Sequence, residues 1–512
     1  MITFIEPISK NIGMYVPAYP LPIMEIASFV KKNLPKIDIE VISVPIDYGL
    51  PLSEDARNNL YSDISIELCK AKPRGVGISC TAISQAEEAI TLCEHIKRKD
   101  PDIFTFMGGY FPTIYYEDIL KRTSSLDLIV VGEGEAPSLE IISLLEKGKD
   151  PRKENIESLA WKEGDEIRTT KRGARFDLKN KAVLNLDFLR NPGSYEILPY
   201  SFSRGCPFQC NFCMEEFIRP TRIAVPEQIV YKDLENISAR SSSHTLLVSD
   251  ALFRSFGMFP FIKSLGMKVN FETRCDVMES SRISEIADTC GMFALGFESA
   301  SYDTLKRMNK VRDKAHYEHY ISNTIKIFRE AARNEIPLLV FMIAGYPGDT
   351  ERDLEKSLAF AHELSKYGGE GGYIFKIGEC QVYPKTNIHR LALSIPDVVF
   401  DDDGVFGMNT VRKPSKDLDF DTVQSYTKQI FSLSNYTPKL KNTLLRLMPF
   451  FRLPVLSLKD EIIPDSCYMD SSREIMNVRG EALAHFRTKL PQLSSRYKGL
   501  VSAQRNTRIL PY

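Results

Sequence analysis

Six short apolar runs, "YEILPYSFS", "HTLLVSD", "KVNFETR", "MFALGFE", "LLVFMIAG" and "GECQVY", lie between Tyr195 and Tyr383, with helix-like stretches separating them. Strands joined through helices in this way form parallel βα units, because a parallel partner is reached only by a long crossover. Six such units predict a partial (β/α)6 barrel over residues 195–390, with its active site at the carboxyl ends of the strands.

A second alternation precedes the first. "ITFIEP" reads as a short strand, and Ile23, Ile26, Val30 and Leu34 follow helical spacing. "IEVISVPI", "GVGISC", "IFTFMGGY" and "LDLIVVGEGE" read as further strands. Ser84 with Glu87 gives a capping-box signature for the helix carrying Ala89, Cys93 and Ile96. The pattern predicts an α/β, doubly wound parallel sheet over residues 1–149, with glycines at the strand ends where such sheets bind ligands.

Residues 150–194 are charged and mixed, which predicts a connector with a small hairpin, and residues 391–512 predict a mostly helical, locally basic C-terminal region. A chain of 512 residues is too long for one core. Its net charge of −1, from 66 Lys+Arg against 67 Asp+Glu, provides no basic field for a nucleic-acid backbone. Met1 to Pro7 lacks the pattern of a secretory signal, and no apolar run is long enough to span a bilayer. The segment "LLRLMPFFRLPVLSL" at 444–458 is interrupted by Arg446, Pro449, Arg452 and Pro454, so packing or a hydrophobic substrate explains it better than spanning. Ten cysteines without short regular spacing outside 206–213 do not form a secreted disulfide framework. The expectation is a cytoplasmic protein with no membrane span and no nucleic-acid partner.

Cys206, Cys210 and Cys213 lie within "SRGCPFQCNFCMEEF" and have no fourth cysteine beside them. Structural zinc takes four protein ligands, and the next candidates, His244 and Cys275, do not have zinc-like spacing. A four-iron cluster held by three thiolates instead keeps one iron open to bind something else.

This C-x-x-x-C-x-x-C spacing, with Phe212 before the third cysteine, resembles the defining motif of the radical S-adenosylmethionine (SAM) superfamily. "TRCDVMES", "CGMFALGFESASYDTLKRMNK" and "FMIAGYPGDTERDL" are similar to core blocks of that superfamily. The resemblance implies a 4Fe-4S iron-sulfur cluster on Cys206, Cys210 and Cys213, with S-adenosyl-L-methionine chelated by the open iron. It also implies that Glu298 accepts from ribose hydroxyls and that Arg274 pairs with the methionine carboxylate. Ser249 and Asp250 would lie by the methionine amino group, and Gly345 and Gly348 would let backbone approach the adenine. For Glu298 and Arg274 an ordinary salt bridge is the alternative, and for the two glycines a plain strand-to-helix turn.

Ahead of the barrel, "MGGYFPT" and "VVGEGE" resemble the cobalamin-binding domain of the subgroup that contains class B methyltransferases and the anaerobic cyclase of bacteriochlorophyll synthesis. Gly108, Gly109, Gly132 and Gly134 would open the strand ends to the nucleotide tail, with Ser79 and Thr81 as hydroxyl donors. The cobalamin pattern D-x-H-x-x-G is absent, and no histidine precedes His95, so cobalt would be bound without a protein imidazole. A vestigial domain is the alternative.

Together these resemblances imply a cobalamin-dependent radical SAM enzyme in which a 5′-deoxyadenosyl radical takes a hydrogen from an unreactive carbon and cobalamin delivers a methyl group. That is a C-methyltransferase acting on a small-molecule or peptide substrate, with flavodoxin or ferredoxin as electron donor. Radical cyclisation, ring contraction or rearrangement is the second reading, and a non-catalytic iron–sulfur or cobalamin sensor the third. A methylthiotransferase would need a second cluster, from Cys69, Cys80 and Cys93, although Cys80 falls in a buried strand and Cys93 on an apolar helical face. No residue is singled out as catalytic. Tyr383, Pro384 and Lys385 either line the substrate cavity or are ordinary loop residues.

Overall fold

The computed structural model describes residues 1–9, 18–49, 54–241, 243–407 and 409–447. Its described residues divide into two compact units, residues 1–198 with 224–243, and residues 199–223 with those from 244 onward.

In the first unit the strands are β1 (Ile2–Glu6), β2 (Ile39–Ser43), β3 (Gly75–Ser79), β4 (Phe104–Gly108), β5 (Leu128–Val130), β6 (Leu159–Glu163) and β7 (Glu166–Thr169). They form one sheet in the order β2-β1-β3-β4-β5-β6-β7. The first five are parallel, and β6 and β7 are antiparallel to β5 and to each other. The parallel strands bury mostly apolar side chains, as strands inside an α/β sheet do: Ile2, Phe4, Val76, Ile78, Phe106 and Met107 are buried, and Phe4 meets Phe106 edge-on at 6.0 Å. The order 2-1-3-4-5 reverses direction between β1 and β3, and the carboxyl ends beside such a switch form a ligand crevice.

Three details differ from the sequence reading. The hairpin expected in a connector is β6–β7, and it extends the sheet. The helix Glu227–Arg240, which lies in sequence between two barrel strands, belongs to this first unit. The helix Ile83–Lys99 begins after Ala82 with no side-chain cap, so Ser84 and Glu87 make no capping box. Instead Gln85 Oε1 accepts from the Thr81 N–H and hydroxyl, both at 2.9 Å, and closes the turn that leads into the helix.

In the second unit β8 (Leu198–Tyr200), β11 (Thr245–Val248), β12 (Lys268–Arg274), β13 (Cys290–Glu298), β14 (Leu338–Ala344) and β15 (Tyr373–Glu379) form an open sheet in the order β15-β14-β13-β12-β11-β8. The short β9 (Ser203–Arg204) pairs with β10 (Ile223–Ala224). Sequential neighbours in parallel register are what six βα units produce, and the sheet ends at β8 and β15. One face packs on helices through aromatic rings. Phe271 stacks on Phe293 at 5.5 Å and meets Phe259 at 5.9 Å, while Phe297 lies between Tyr320 and Phe360. Each such ring contributes about 2 kcal/mol by burial.

The sixth strand is Tyr373–Glu379, several residues before the expected "GECQVY". Gly372, at φ +72°, starts it, and beyond Glu379 the chain turns aside, with Val382 N–H bonded to Asn409 O at 2.8 Å. After the sheet come the helix Asn387–Ser394, the antiparallel pair β16 (Val399–Phe400) and β17 (Val411–Lys413), and the helices Phe420–Ser432 and Pro438–Leu447. The expected helical region thus includes a small hairpin. The part of the apolar segment beyond residue 447 lies outside the described residues. Among the described residues no helix is long and apolar enough to cross a membrane.

Candidate active site

The loop holding Cys206, Cys210 and Cys213 leaves β9 and is tied down along its length. Gly205 has φ +88°, and a Cβ there would stand 2.1 Å from Thr221 O, so only glycine lets the two backbones pass. Cys206 N–H bonds Arg219 O at 3.2 Å, and Cys213 N–H bonds Cys210 O at 2.9 Å. Asn211 donates from its backbone to Met308 O at 3.0 Å and from Nδ2 to Arg307 O at 2.7 Å, while Asn309 Nδ2 reaches Gln209 O at 2.7 Å. The turn 307–309 is itself clamped, because Arg307 Nη2 bonds Asp349 Oδ1 at 2.5 Å.

All three thiols are free, and their charges interact with one another. Burial pushes the Cys206 thiol up and the Cys213 thiol up to about 12. Among the described residues no three His, Cys, Asp or Glu side chains converge as they would on a single metal ion. Three neighbouring thiols on a loop tied down along its length suit the thiolate ligation of an iron–sulfur cluster, whose binding would displace the thiol protons.

Arg274, which ends β12, is the cation at this loop. Its Nη1 donates to Cys210 Sγ at 3.1 Å, and its guanidinium lies 3.8 Å over the Phe208 ring. Asp276 grips the other edge through two 2.8 Å bonds, and Nη2 also donates to Lys310 O at 2.9 Å. These contacts use four of the five donors, so Arg274 holds the cysteine loop, and the sequence reading missed this role. The Asp276 hydrogen bond and charge outweigh the cost of burial and hold the guanidinium pKa well above its usual value.

Glu298 ends β13 in the left-handed region at φ +70°, next to a register shift against β14. Its Oε1 pairs with Lys310 Nζ at 2.7 Å, both groups buried. Lys310 was absent from the sequence-derived candidates, and it also lies 5.7 Å from the Phe212 ring centroid. Asp250 accepts from Phe202 N at 2.7 Å, Ser203 N at 3.1 Å and Ser203 Oγ at 2.5 Å. Its carboxyl is raised by burial to about 7. Asp250 therefore fixes the chain leading into the cysteine loop, while Ser249 beside it is exposed.

Gly345, at φ +71°, packs so that a Cβ would meet Pro414 and Val423 at 3.1 Å, and Gly348 N–H bonds Pro414 O at 2.7 Å. Both glycines thus dock the segment after β17, whatever else their backbones approach.

In the first unit Ser79 and Gly108 are register partners at the ends of β3 and β4, with Thr81, Gly109, Gly132 and Gly134 just beyond the strand ends. A Cβ at Gly109 (φ +126°) would lie 2.2 Å from Cys80 O, and one at Gly134 would lie 2.7 Å from Ile26 Cδ1. A Cβ at Gly132 would find its nearest atom at 3.6 Å, and the Gly132 N–H donates to Thr113 Oγ1 at 3.0 Å. Gly109 and Gly134 are thus accounted for by packing within the protein, and Gly108 and Gly132 are the two strand-end glycines with room beside them. Cys80 and Cys93 are buried and their thiols pushed up by desolvation, Cys69 lies on a separate helix, and the three form no metal-ligand group.

Residues 19–142 match the model of the B12 binding domain, and residues 200–361 match that of the radical SAM superfamily. The chain is 25% identical to the anaerobic magnesium-protoporphyrin IX monomethyl ester cyclase of Rubrivivax gelatinosus over 60% of its length, and spans only 58% of that relative. It is 25% identical to an uncharacterized methyltransferase of Pyrococcus horikoshii, over 67% of this chain and 73% of that one. The solved radical SAM methyltransferase TsrM from Kitasatospora setae, with cobalamin and a [4Fe-4S] cluster bound, shares the fold at TM-score 0.63 and 13% identity, over 85% and 91% of the two chains. A [4Fe-4S] cluster, S-adenosylmethionine and cobalamin are the cofactors that this pair of domains takes. The chain carries a B12 binding domain followed by a domain of the radical SAM superfamily.

Proposed function

We propose that the chain is a cobalamin-dependent radical SAM C-methyltransferase that alkylates an unactivated carbon of a small-molecule or peptide substrate. The observation that carries this reading is the rigid three-cysteine loop with Arg274 against Cys210, in a chain that also holds a B12 binding domain. When bound, the cluster supplies the electron that cleaves S-adenosylmethionine to a 5′-deoxyadenosyl radical, and cobalamin supplies the methyl group.

Cys206, Cys210 and Cys213 would hold the cluster, and Asp250 with Arg274 would keep their loop in place. Glu298, held by Lys310, would accept from the ribose hydroxyls. Ser249 and Arg274's remaining donor would lie near the methionine end, and the Gly345–Gly348 turn near the adenine. In the first unit, Ser79, Thr81, Gly108, Gly109, Gly132 and Gly134 would line the cobalamin crevice. Flavodoxin or ferredoxin would provide the electron.

A second reading, oxidative cyclisation without methyl transfer, is supported by the similarity to the cyclase. Methyl-deuterated S-adenosylmethionine separates the two: label in the product supports methyl transfer, and 5′-deoxyadenosine with an unlabelled product supports cyclisation.

A further inference from the structure

On the face of the six-stranded sheet turned away from the helices, Ala294, Leu339 and Ile374 are covered, while other positions stay open among the described residues. In closed barrels such a face is packed by layers of side chains. Here solvent reaches Glu272 on β12, Gly296 on β13, Phe341 on β14, and Lys376 and Gly378 on β15. Among the described residues a Cβ at Gly378 would touch nothing within 4 Å, whereas one at Gly296 would stand 3.0 Å from Glu298 Oε1, so the room on this wall lies on the Lys376 side.

Glu272 and Lys376 both stand on this wall, with Arg274 two residues beyond Glu272 on β12 and already engaged by the cysteine loop and Asp276. The Glu272 carboxylate makes no hydrogen bond or ion pair among the described residues, although Glu272 occupies the middle of a central strand. Solvent touches it, yet desolvation raises its pKa; Lys376 lowers it and Glu298 raises it further. Both conditions hold for a group on the wall of a cleft. Lys376 Nζ lies 4.9 Å from the Phe341 ring centroid, a placement that turns its ammonium across the face.

An apolar ligand would strip water from the Glu272 carboxylate and return no hydrogen bond, which a buried charge does not tolerate. A ligand for this wall therefore brings an N–H or ammonium donor to Glu272, and an acceptor beside it suits Lys376. We propose that Glu272 and Lys376 are the substrate-recognition pair, and that the substrate is amino-acid- or peptide-like, presenting an N–H donor to Glu272 and a carboxylate or carbonyl to Lys376. The proposal rests on the radical SAM reading of the adjoining cysteine loop.

The test uses full-length protein reconstituted with cluster and cobalamin in the presence of S-adenosylmethionine. The probes are free L-amino acids, their N-acetyl methylamides, and straight-chain alkanols of matched size, with binding measured by calorimetry and 5′-deoxyadenosine release measured separately. Amino acids or amides are expected to bind the wild type while alkanols do not. Glu272→Gln should weaken that binding at least tenfold, and Lys376→Met should weaken free amino acids more than amides. Equal binding by wild type and both variants overturns the proposal, as does preference for alkanols or absence of binding by every probe. Release of 5′-deoxyadenosine by the wild type decides the radical SAM reading independently, so either claim can fail without the other.

Discussion

Arg274 Nη1 donates a hydrogen bond to Cys210 Sγ at 3.1 Å, and the same guanidinium is gripped by both oxygens of Asp276. A positive donor on a cluster thiolate stabilises the reduced, more negative cluster and raises its potential.

Arg274→Gln should therefore make the cluster harder to reduce. A charged hydrogen bond is worth about 1.5–3 kcal/mol. If about half of that falls on the reduced state alone, the ratio of reduced to oxidised cluster drops about three- to twelvefold at a fixed potential, or about 30–65 mV for one electron. Redox titration followed by paramagnetic resonance reads this shift. An unchanged potential with a full complement of iron would show that Arg274 acts only as a brace.

Asp250 supplies a pH dependence whose sign follows from its environment. Burial raises its carboxyl from 3.8 to about 7, so between these values the folded chain binds a proton that the unfolded chain does not. Its contribution to stability falls as pH rises through that window and is constant above it. Urea unfolding of wild type and Asp250→Asn at pH 5 and pH 8 should show the wild type losing stability relative to the variant at the higher pH. A pH-independent difference would contradict the assignment.

In the first unit Lys181 Nζ pairs with Asp233 Oδ2 at 2.6 Å and lies 3.6 Å from Glu25 Oε1, all three buried. Asp233 also accepts from Leu184 N at 2.6 Å. Lys181→Met leaves two buried carboxylates without their cation and should cost about 3–5 kcal/mol, measured by chemical denaturation. A loss below about 1 kcal/mol would mean that water replaces the lysine.

Gly109 separates packing from function at the strand ends. Its backbone, at φ +126° and ψ −173°, lies in a region open to glycine alone, and a Cβ would overlap Cys80 O. Gly109→Ala should cost about 3 kcal/mol or more. Gly132→Ala, whose Cβ would find its nearest atom at 3.6 Å, should cost about 1–2 kcal/mol through backbone strain. Thermal unfolding of the two variants ranks them, and a reversed order would contradict this packing.

The local features could be read from the sequence. The three cysteines, the glycines at the strand ends and five of the six barrel strands are fixed by spacing within a few residues, which a linear pattern displays. The contacts that make the site work are not local. Lys310 meets Glu298 across a helix and turn, and Arg274 meets Cys210 from 64 residues away. The helix Glu227–Arg240 looks like a barrel crossover until Asp233 is seen to pair with Lys181. "GECQVY" alternates like a strand, but the ladder with β14 had already formed upstream, from Tyr373. The Ser84 and Glu87 signature failed because Gln85 bonds Thr81 and closes that turn first.

The most direct test compares anaerobically reconstituted wild type with the Cys206→Ala, Cys210→Ala, Cys213→Ala triple variant, in dithionite with S-adenosylmethionine, by iron content and 5′-deoxyadenosine. The wild type should hold about four irons more per chain than the variant and should release 5′-deoxyadenosine, while the variant keeps its fold and releases none. Equal iron content and equal 5′-deoxyadenosine release in the two proteins would contradict the account.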